Sequence, residues 1–397
     1  MKTHVESSIN RRQFLHASAG VSLVALAATS ASAEEPWSQT SDKKIRIGIA
    51  GGRFGLSWHW HEHPNCVVHA VTDLIPERRE QLSGKYSCTN VYESLEKMVL
   101  DPDVDAVAVF TGAPEHARHV ELCMDHGKHV ISACPACLTL EEAAAMKAVK
   151  ERTGLKYMTA ETSWYRWETQ LAREAYAAGQ FGDLLYCEAE YYHPKIGRKA
   201  DSLSYLNGER TWRYGYPPML YPTHSTAFLT GVTGERLSHV SCIGQGDPNE
   251  ASLKDNQYDN PFLNGMAMFE TDRGNPFRCN VAWNIHAHGE RAQWYGTKAA
   301  LYMDGPGGQP FSMREEGKNN NTKPDYWHRV PETMRYDSGH GASHSFITNE
   351  FITALVEDRE PSIDIYEALA LCVPGIVAHE SSLRGGERMA IPSFDNA

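Results

Sequence analysis

Basic residues are scarce in this 397-residue chain: 38 Lys and Arg stand against 50 Asp and Glu, for a net charge of −12. No Lys/Arg run interrupts that acidity, which argues against nucleic acid or an anionic membrane as a partner. Beyond residue 33 no stretch is apolar for the roughly 20 residues that a bilayer span requires. A disulfide framework is also missing. The nine cysteines (Cys66, Cys88, Cys123, Cys134, Cys137, Cys187, Cys242, Cys279 and Cys372) are odd in number and scattered, so most are expected to be small buried apolar residues. Only Cys134-Pro-Ala-Cys137 has a recognisable spacing. With no second CxxC it predicts neither a zinc site nor a thiol framework, and no metal is expected. Internal repeats and low-complexity tracts are lacking too.

What is present begins with an N-terminal address. Asn10-Arg11-Arg12-Gln13-Phe14-Leu15 is a twin-arginine pattern, followed by the apolar run Ala17–Ala28 and the small-residue site Ala31-Ser32-Ala33. This reads as a signal peptide over 1–33, cleaved before Glu34 and directing export to the periplasm or another extracytoplasmic space. Residues 34–44 read as a polar leader. The twin-arginine route moves folded proteins, so an exported dinucleotide enzyme is expected to hold its cofactor tightly.

The next stretch, Lys44-Ile-Arg-Ile-Gly-Ile-Ala-Gly-Gly-Arg-Phe-Gly55, is a β-rich run ending in closely spaced glycines. The best frame of the G-x-G-x-x-G fingerprint is Ala50-Gly51-Gly52-Arg53-Phe54-Gly55, with Ala in the first slot. Glycine lets the backbone turn tightly and admits a pyrophosphate to the following helix N-terminus. Phe54–His63 is expected as that helix. Val67–Thr72 reads as a second strand ending at Asp73, 22 residues past Gly51 and near the spacing of an acid that accepts ribose hydroxyls. A carboxylate there repels a 2′-phosphate and favours NAD over NADP; it is also placed to cap the next helix. Strand–helix alternation then continues through Ala106–Phe110, Glu115–His126, Lys128–Ser132, Leu140–Lys150 and Lys156–Thr159, which predicts a parallel sheet covered on both faces.

From Glu161 the character changes. Aromatic, β-rich segments recur at Leu184–Tyr192, Leu237–Ile243, Gly265–Glu270, Phe277–Ile285 and Ala299–Met303, in the manner of an antiparallel sheet. Helices are expected at about Phe346–Glu357 and Tyr366–Leu383. The division is therefore a dinucleotide domain over 45–160 and a substrate-binding α/β domain over 161–397.

The order of IRIGIAGGRFG, AVTDLIPER, DPDVDAVAVFTGAPEHARHV, CMDHGKHVISACP and TLEEA, with a helix around Pro222-Thr223-His224, resembles the glucose–fructose oxidoreductase/inositol dehydrogenase (Gfo/Idh/MocA) family over residues 45 to about 235. That resemblance implies an α/β fold with an N-terminal Rossmann domain and a C-terminal α/β domain carrying an open, mostly antiparallel sheet. It also implies an active site in the cleft between them, often for sugars or cyclitols. Members usually read Glu-Lys-Pro where this chain reads Ala133-Cys134-Pro135, and place an aspartate where this chain has Leu220. Of the usual Lys–Asp–His set, His224 remains.

The expected cofactor cradle is Gly51, Gly52, Arg53, Phe54, Gly55, Asp73, Thr111 and His116; His116 could equally stabilise its own helix. His224 is the first acid/base candidate, with Tyr165, His193 and Lys195 behind it and Cys134 in the lysine's place. Trp164, Arg166, Tyr192, Arg210, Trp212, Arg213, Tyr214 and Tyr216 add sugar-binding residue types. His59 and His63 would share a helix face at i, i+4, and His286 and His288 a strand face. Three functions fit: an NAD-dependent oxidoreductase on a carbohydrate or cyclitol; a redox-neutral glycoside hydrolase, lyase or epimerase with tightly bound NAD; or a non-catalytic carbohydrate-binding relative. The partner is a small sugar or glycoside, and a homo-oligomer is compatible with each.

Overall fold

The protein is described here from a computed structural model covering residues 36–194 and 203–396. The twin-arginine segment and Lys195 lie outside the described residues. Among those residues, no helix is long and apolar enough to cross a membrane.

Six strands build the first sheet: β1 (Ile45–Ala50), β2 (Cys66–Thr72), β3 (Val91–Tyr92), β4 (Ala106–Val109), β5 (His129–Ser132) and β6 (Tyr157–Thr159). They are parallel in the order β3-β2-β1-β4-β5-β6. β1 therefore lies between β2 and β4, where the strand order reverses and a crevice opens at the C-terminal strand ends. β1 and β4 are almost wholly buried, as strands covered on both faces must be.

The second sheet is larger and mixed. Its first strand is β7 (Leu184–Tyr192), and a small hairpin, β8 (Tyr205–Leu206) and β9 (Glu209–Arg210), follows outside it. The remaining strands are β10 (Leu237–Gln245), β11 (Asn264–Thr271), β12 (Pro276–Ala282), β13 (Gly289–Gly296), β14 (Ala299–Tyr302), β15 (Ser312–Glu315), β16 (Lys318–Asn320) and β17 (Met389–Ala390). The order is β16-β15-β14-β13-β7-β12-β11-β10-β17. Every neighbouring pair is antiparallel except β7–β12. β11 alternates strictly, with Met266 and Met268 on the exposed face and Ala267 and Phe269 in the core. The open, mostly antiparallel sheet expected from the sequence is present, with β13 as a strand that the sequence reading passed over.

Three expectations change. The helix expected over Phe54–His63 is only Gly52–Gly55, followed by a 3₁₀ turn at Trp60–Glu62. Trp58 and Trp60 are both fully buried and stack at 5.5 Å. Two residues apart, they can share one direction in an extended segment, whereas on a helix they would point to opposite sides. The i, i+4 geometry for His59 and His63 is lost as well: His63 is buried against Asn65 and Asn349, while His59 approaches His61 and Glu62. His286 and His288 lie in the bend after β12 and do not share a strand face.

The C-terminal helices, Ser343–Glu357 and Ile365–Leu383, pack beyond their own half of the chain. Ile347, Phe351, Ile352 and Leu371 share a core with Ile47, Ile49 and Ala108 of the first sheet, and the Thr159 N–H donates to the Ile363 carbonyl. The last turns of the chain thus brace the Rossmann sheet.

Candidate functional site

Five of the six strands of the first sheet deliver a site residue just past the C-terminal end: Gly51 after β1, Asp73 after β2, Thr111 after β4, Cys134 after β5 and Glu161 after β6. Gly51 has φ 106°, and a Cβ there would stand 2.2 Å from the Phe110 carbonyl oxygen, so no side chain fits this turn. A Cβ on Gly55 would meet Ile49 at 2.9 Å, which makes it the glycine of close helix–sheet packing. The Gly52 N–H donates to Asp73 Oδ2 at 2.6 Å and the Ile75 N–H to Oδ1 at 2.8 Å. Asp73 thus serves the turn and the start of the helix Pro76–Tyr86 together, and a carboxylate keeps further acceptor positions for a ribose.

Gly51, Asp73 and Ile75 line one cavity of about 1330 Å³ with Arg53, Phe54, Arg78, Thr111, His116, Cys134 and His224. Ligand pockets usually occupy roughly 300–1,000 Å³, so the volume accommodates a dinucleotide with a substrate beside it. A glycine turn that excludes any side chain, followed by an acid at the next strand end, fits NAD at that end. His116 lines the cavity, but both its nitrogens face carbonyl oxygens, Nδ1 at 2.7 Å from Pro135 and Nε2 at 3.2 Å from Thr111. It staples the turn after β4 to that after β5. Trp212 closes over the same turn, since a Cβ on Gly112 would touch its ring at 2.8 Å.

At the other end stands a buried cluster. His224 lies near the start of the helix Thr223–Thr233, with Nδ1 at 2.7 Å from Glu161 Oε1 and Nε2 at 3.8 Å from Cys134 Sγ. A carboxylate only accepts, so Nδ1 carries a proton. Burial alone would lower the His224 pKa, yet Glu161 holds it well above the ordinary value. Burial would in turn raise Glu161, but the imidazolium brings its carboxyl down to about 2. Burial and Glu161 push the Cys134 thiol up, so it stays a thiol. Tyr191 and Tyr221 pack on the imidazole, with ring centres at 4.6 and 5.2 Å. Burial raises both phenols, leaving them neutral. Beside them Glu290, buried, accepts from Ser163 Oγ and from the Arg166 guanidinium.

His340 enters the cavity from the loop before the helix Ser343–Glu357, between Gly339 and Gly341 and itself at φ 46°. Its Nδ1 lies 3.0 Å from His344 Nε2, and His344 Nδ1 lies 3.2 Å from the Ser57 carbonyl oxygen. That carbonyl accepts only, so His344 Nδ1 carries the proton. Burial brings the His344 pKa down to about 3, which leaves its Nε2 as an acceptor and makes His340 Nδ1 the donor. His340 Nε2 is therefore the unprotonated nitrogen. Surrounding protein, then the His224 charge, lower the His340 pKa. One cavity thus holds a protonated and a neutral histidine.

Of the other expected residues, His193 lines the cavity at the end of β7 with its ring 5.2 Å from His288, and Arg210 and Arg213 line it too. Tyr165 does not. It stacks with Phe346 beside the small core of Tyr326, Val330 and Met334, so it is corrected to a packing residue. Tyr192 is displaced by strand parity: Tyr191 faces His224, while Tyr192 donates to Glu190, as successive strand residues must diverge. Trp164, Tyr214 and Tyr216 likewise stand outside the cavity lining. Glu161, Glu290 and His340 were missed. The glycines flanking His340 and the acid directly after β6 were the available signals.

Residues 45–161 match the family model described as "Oxidoreductase family, NAD-binding Rossmann fold", and residues 266–397 match "Glycosyl hydrolase 109, C-terminal domain". A glycosyl hydrolase family 109 protein of Solibacter usitatus is 25% identical over 396 residues, covering 88% of each chain. Among solved structures, scyllo-inositol dehydrogenase of Lactobacillus casei with NAD(H) and scyllo-inositol superposes with a TM-score of 0.69 at 16% identity, over 88% of this chain and 99% of that one. A levoglucosan dehydrogenase complex with NADH and levoglucosan gives 0.72 at 17% identity, over 89% and 100%. These two likenesses concern the fold.

Proposed function

The chain belongs to the Gfo/Idh/MocA oxidoreductase family, and from that premise we propose that it cleaves glycosides in a redox-neutral cycle with tightly held NAD. The observation that carries this reading is the placement of two histidines in one cavity against opposite partners, His224 on the Glu161 carboxylate and His340 on His344 Nε2, which leaves the first charged and the second neutral. Environments that push two like groups apart assign an acid and a base. Simple alcohol oxidation requires only the base. Breaking a glycosidic bond also requires an acid for the departing oxygen, and His224 begins protonated. The match of residues 266–397 to the glycosyl hydrolase 109 C-terminal domain supports the same choice.

Gly51, Gly52, Arg53, Phe54, Gly55, Asp73 and Thr111 would hold NAD, which when bound supplies a hydride acceptor that returns what it takes. His340 Nε2 receives the proton of a sugar hydroxyl and passes it to solvent. The same nitrogen then takes the proton of the carbon beside the new carbonyl, and that electron pair expels the glycosidic oxygen as a double bond forms. His224 Nε2 gives its proton to the leaving oxygen, Glu161 stabilises the imidazolium until then, and water adds across the double bond. Tyr191 and Tyr221 present neutral phenols that donate to sugar oxygens. Water enters, an alcohol leaves, and the sugar regains its original oxidation level, so no fresh cofactor is consumed. That economy suits a protein exported by the twin-arginine route with its cofactor inside.

The test is turnover of aryl glycosides by the purified holoprotein. Expected is aglycone release with no accumulation of the near-ultraviolet NADH band, and incorporation of solvent deuterium beside the transiently oxidised carbon. Stoichiometric NADH with an oxidised sugar would make the protein a net dehydrogenase. Sugar binding without turnover would make it a carbohydrate-binding relative.

A further inference from the structure

All nine cysteines are buried and free, and the CxxC spacing does not bring its own two thiols together as partners. Cys134 turns to His224, whereas Cys137 Sγ lies 3.2 Å from Cys372 Sγ, 235 residues away in sequence. A disulfide spans about 2.05 Å, so the sulfurs need to close by roughly one ångström. Each is 1% exposed, and neither thiol takes part in the proposed reaction.

Their positions give the contact a consequence. Cys137 ends the short loop that begins with Cys134. Cys372 sits within the helix Ile365–Leu383, directly after Leu371, whose carbonyl accepts from Thr226 Oγ1 at 2.8 Å. Thr226 is two residues from His224 on the same helix. Two adjacent residues of the C-terminal helix therefore touch both supports of the Cys134–His224 contact, one through a hydrogen bond and one through sulfur.

We propose that Cys137 and Cys372 form a disulfide that ties the loop bearing Cys134 to the helix bracing His224. The oxidant is a small-molecule disulfide such as oxidised glutathione. One cysteine thiolate attacks its S–S bond and releases one glutathione thiolate. The second cysteine attacks the mixed disulfide, forming Sγ–Sγ and releasing the other. Two thiol protons pass to the two glutathiones, and two cysteines are oxidised as one glutathione disulfide is reduced. Burial of both sulfurs places this exchange in a transient local opening of the loop from the helix, after the folded chain has reached an oxidising compartment. Bond formation does not depend on the proposed glycoside chemistry, so each reading fails separately.

The experiment refolds the reduced full chain in a glutathione redox buffer or in dithiothreitol, alkylates free thiols in denaturant, and maps peptides by mass. Expected after oxidative refolding is one link, between the Cys137 and Cys372 peptides, with the other cysteines alkylated. Cys137→Ala and Cys372→Ala should each abolish it. The oxidised wild type should melt at a higher temperature than the reduced one, a difference that disappears in Cys137→Ala. If the chain does not refold, the same map is made on protein expressed in an oxidising compartment. Nine alkylated cysteines in the oxidised sample, or either residue linked elsewhere, would overturn the disulfide. Equal melting temperatures would overturn the bracing role.

Discussion

His224 Nδ1 and Glu161 Oε1 stand 2.7 Å apart with both side chains withdrawn from solvent, 63 residues separated in sequence. The pair sets the charge of the imidazole at the heart of the cavity, and its first consequence concerns pH.

Because Glu161 holds the His224 pKa up, the alkaline limb of the activity profile should lie above the ordinary histidine range near pH 6.5. Glu161→Gln should bring that limb down and lower kcat by about 10²- to 10⁴-fold at neutral pH, the usual worth of a placed proton donor. Bound NAD, measured by mass spectrometry of the released cofactor, should remain. An unmoved limb would remove His224 from the acid role.

The same pair fixes the sign of stability against pH. The Glu161 carboxyl, brought down to about 2, contributes stability that is present above its unfolded range and lost as pH falls toward that value. The raised His224 contributes stability that is present below about pH 6.5 and lost as pH rises through its folded pKa. Urea titrations should show the wild type losing stability in both directions, and Glu161→Gln losing less on acidification.

His340→Asn removes the unprotonated Nε2 while retaining a polar side chain on the same loop. Turnover should fall by about 10²- to 10⁴-fold with sugar binding preserved by calorimetry. The acid limb of the wild type should lie below the ordinary histidine range, because His340 is lowered. Retained activity in the variant would reassign the base, with His193 the next residue on the cavity wall.

Asp73 and Arg78 line the same end of the cavity. Asp73→Ser removes the charge that repels a 2′-phosphate and leaves the guanidinium, so NADP binding should strengthen relative to NAD by at least about tenfold, worth 1.4 kcal/mol. Titration of apoprotein with each nucleotide reads the ratio directly. The variant also loses acceptors for the Gly52 and Ile75 N–H groups, so a small drop in melting temperature should accompany the change.

Tyr165→Phe separates packing from chemistry. Tyr165 stacks with Phe346 away from the cavity, so kcat should stay within about threefold of wild type. The hydroxyl meets the Ser362 side chain, so stability should fall by about 1 kcal/mol, the net worth of one hydrogen bond. A large loss of turnover at unchanged stability would return Tyr165 to the site.

Elements with a short-range signature were legible. β1, the glycine turn and Asp73 fall within one β-turn–β stretch, and β7 has the bounds read from its apolar pattern. The helix after Gly51 was not legible, because burial of both Trp58 and Trp60 outweighs local helix periodicity. β13 has a mixed composition whose strand character comes from its ladders with β7 and β14. Tyr191 could be distinguished from Tyr192 only once the strand's facing was known.

The local chain by itself settled where a dinucleotide is expected, since a tight turn and a strand-end acid are demands on neighbouring residues. Tertiary structure alone decided what stands opposite that cradle. Glu161 meets His224 across 63 residues, Ser163 meets Glu290 across 127, and Cys137 meets Cys372 across 235. The protonation of a buried histidine depends on the charge that folding places beside it, and no pattern of nearby residues carries that information.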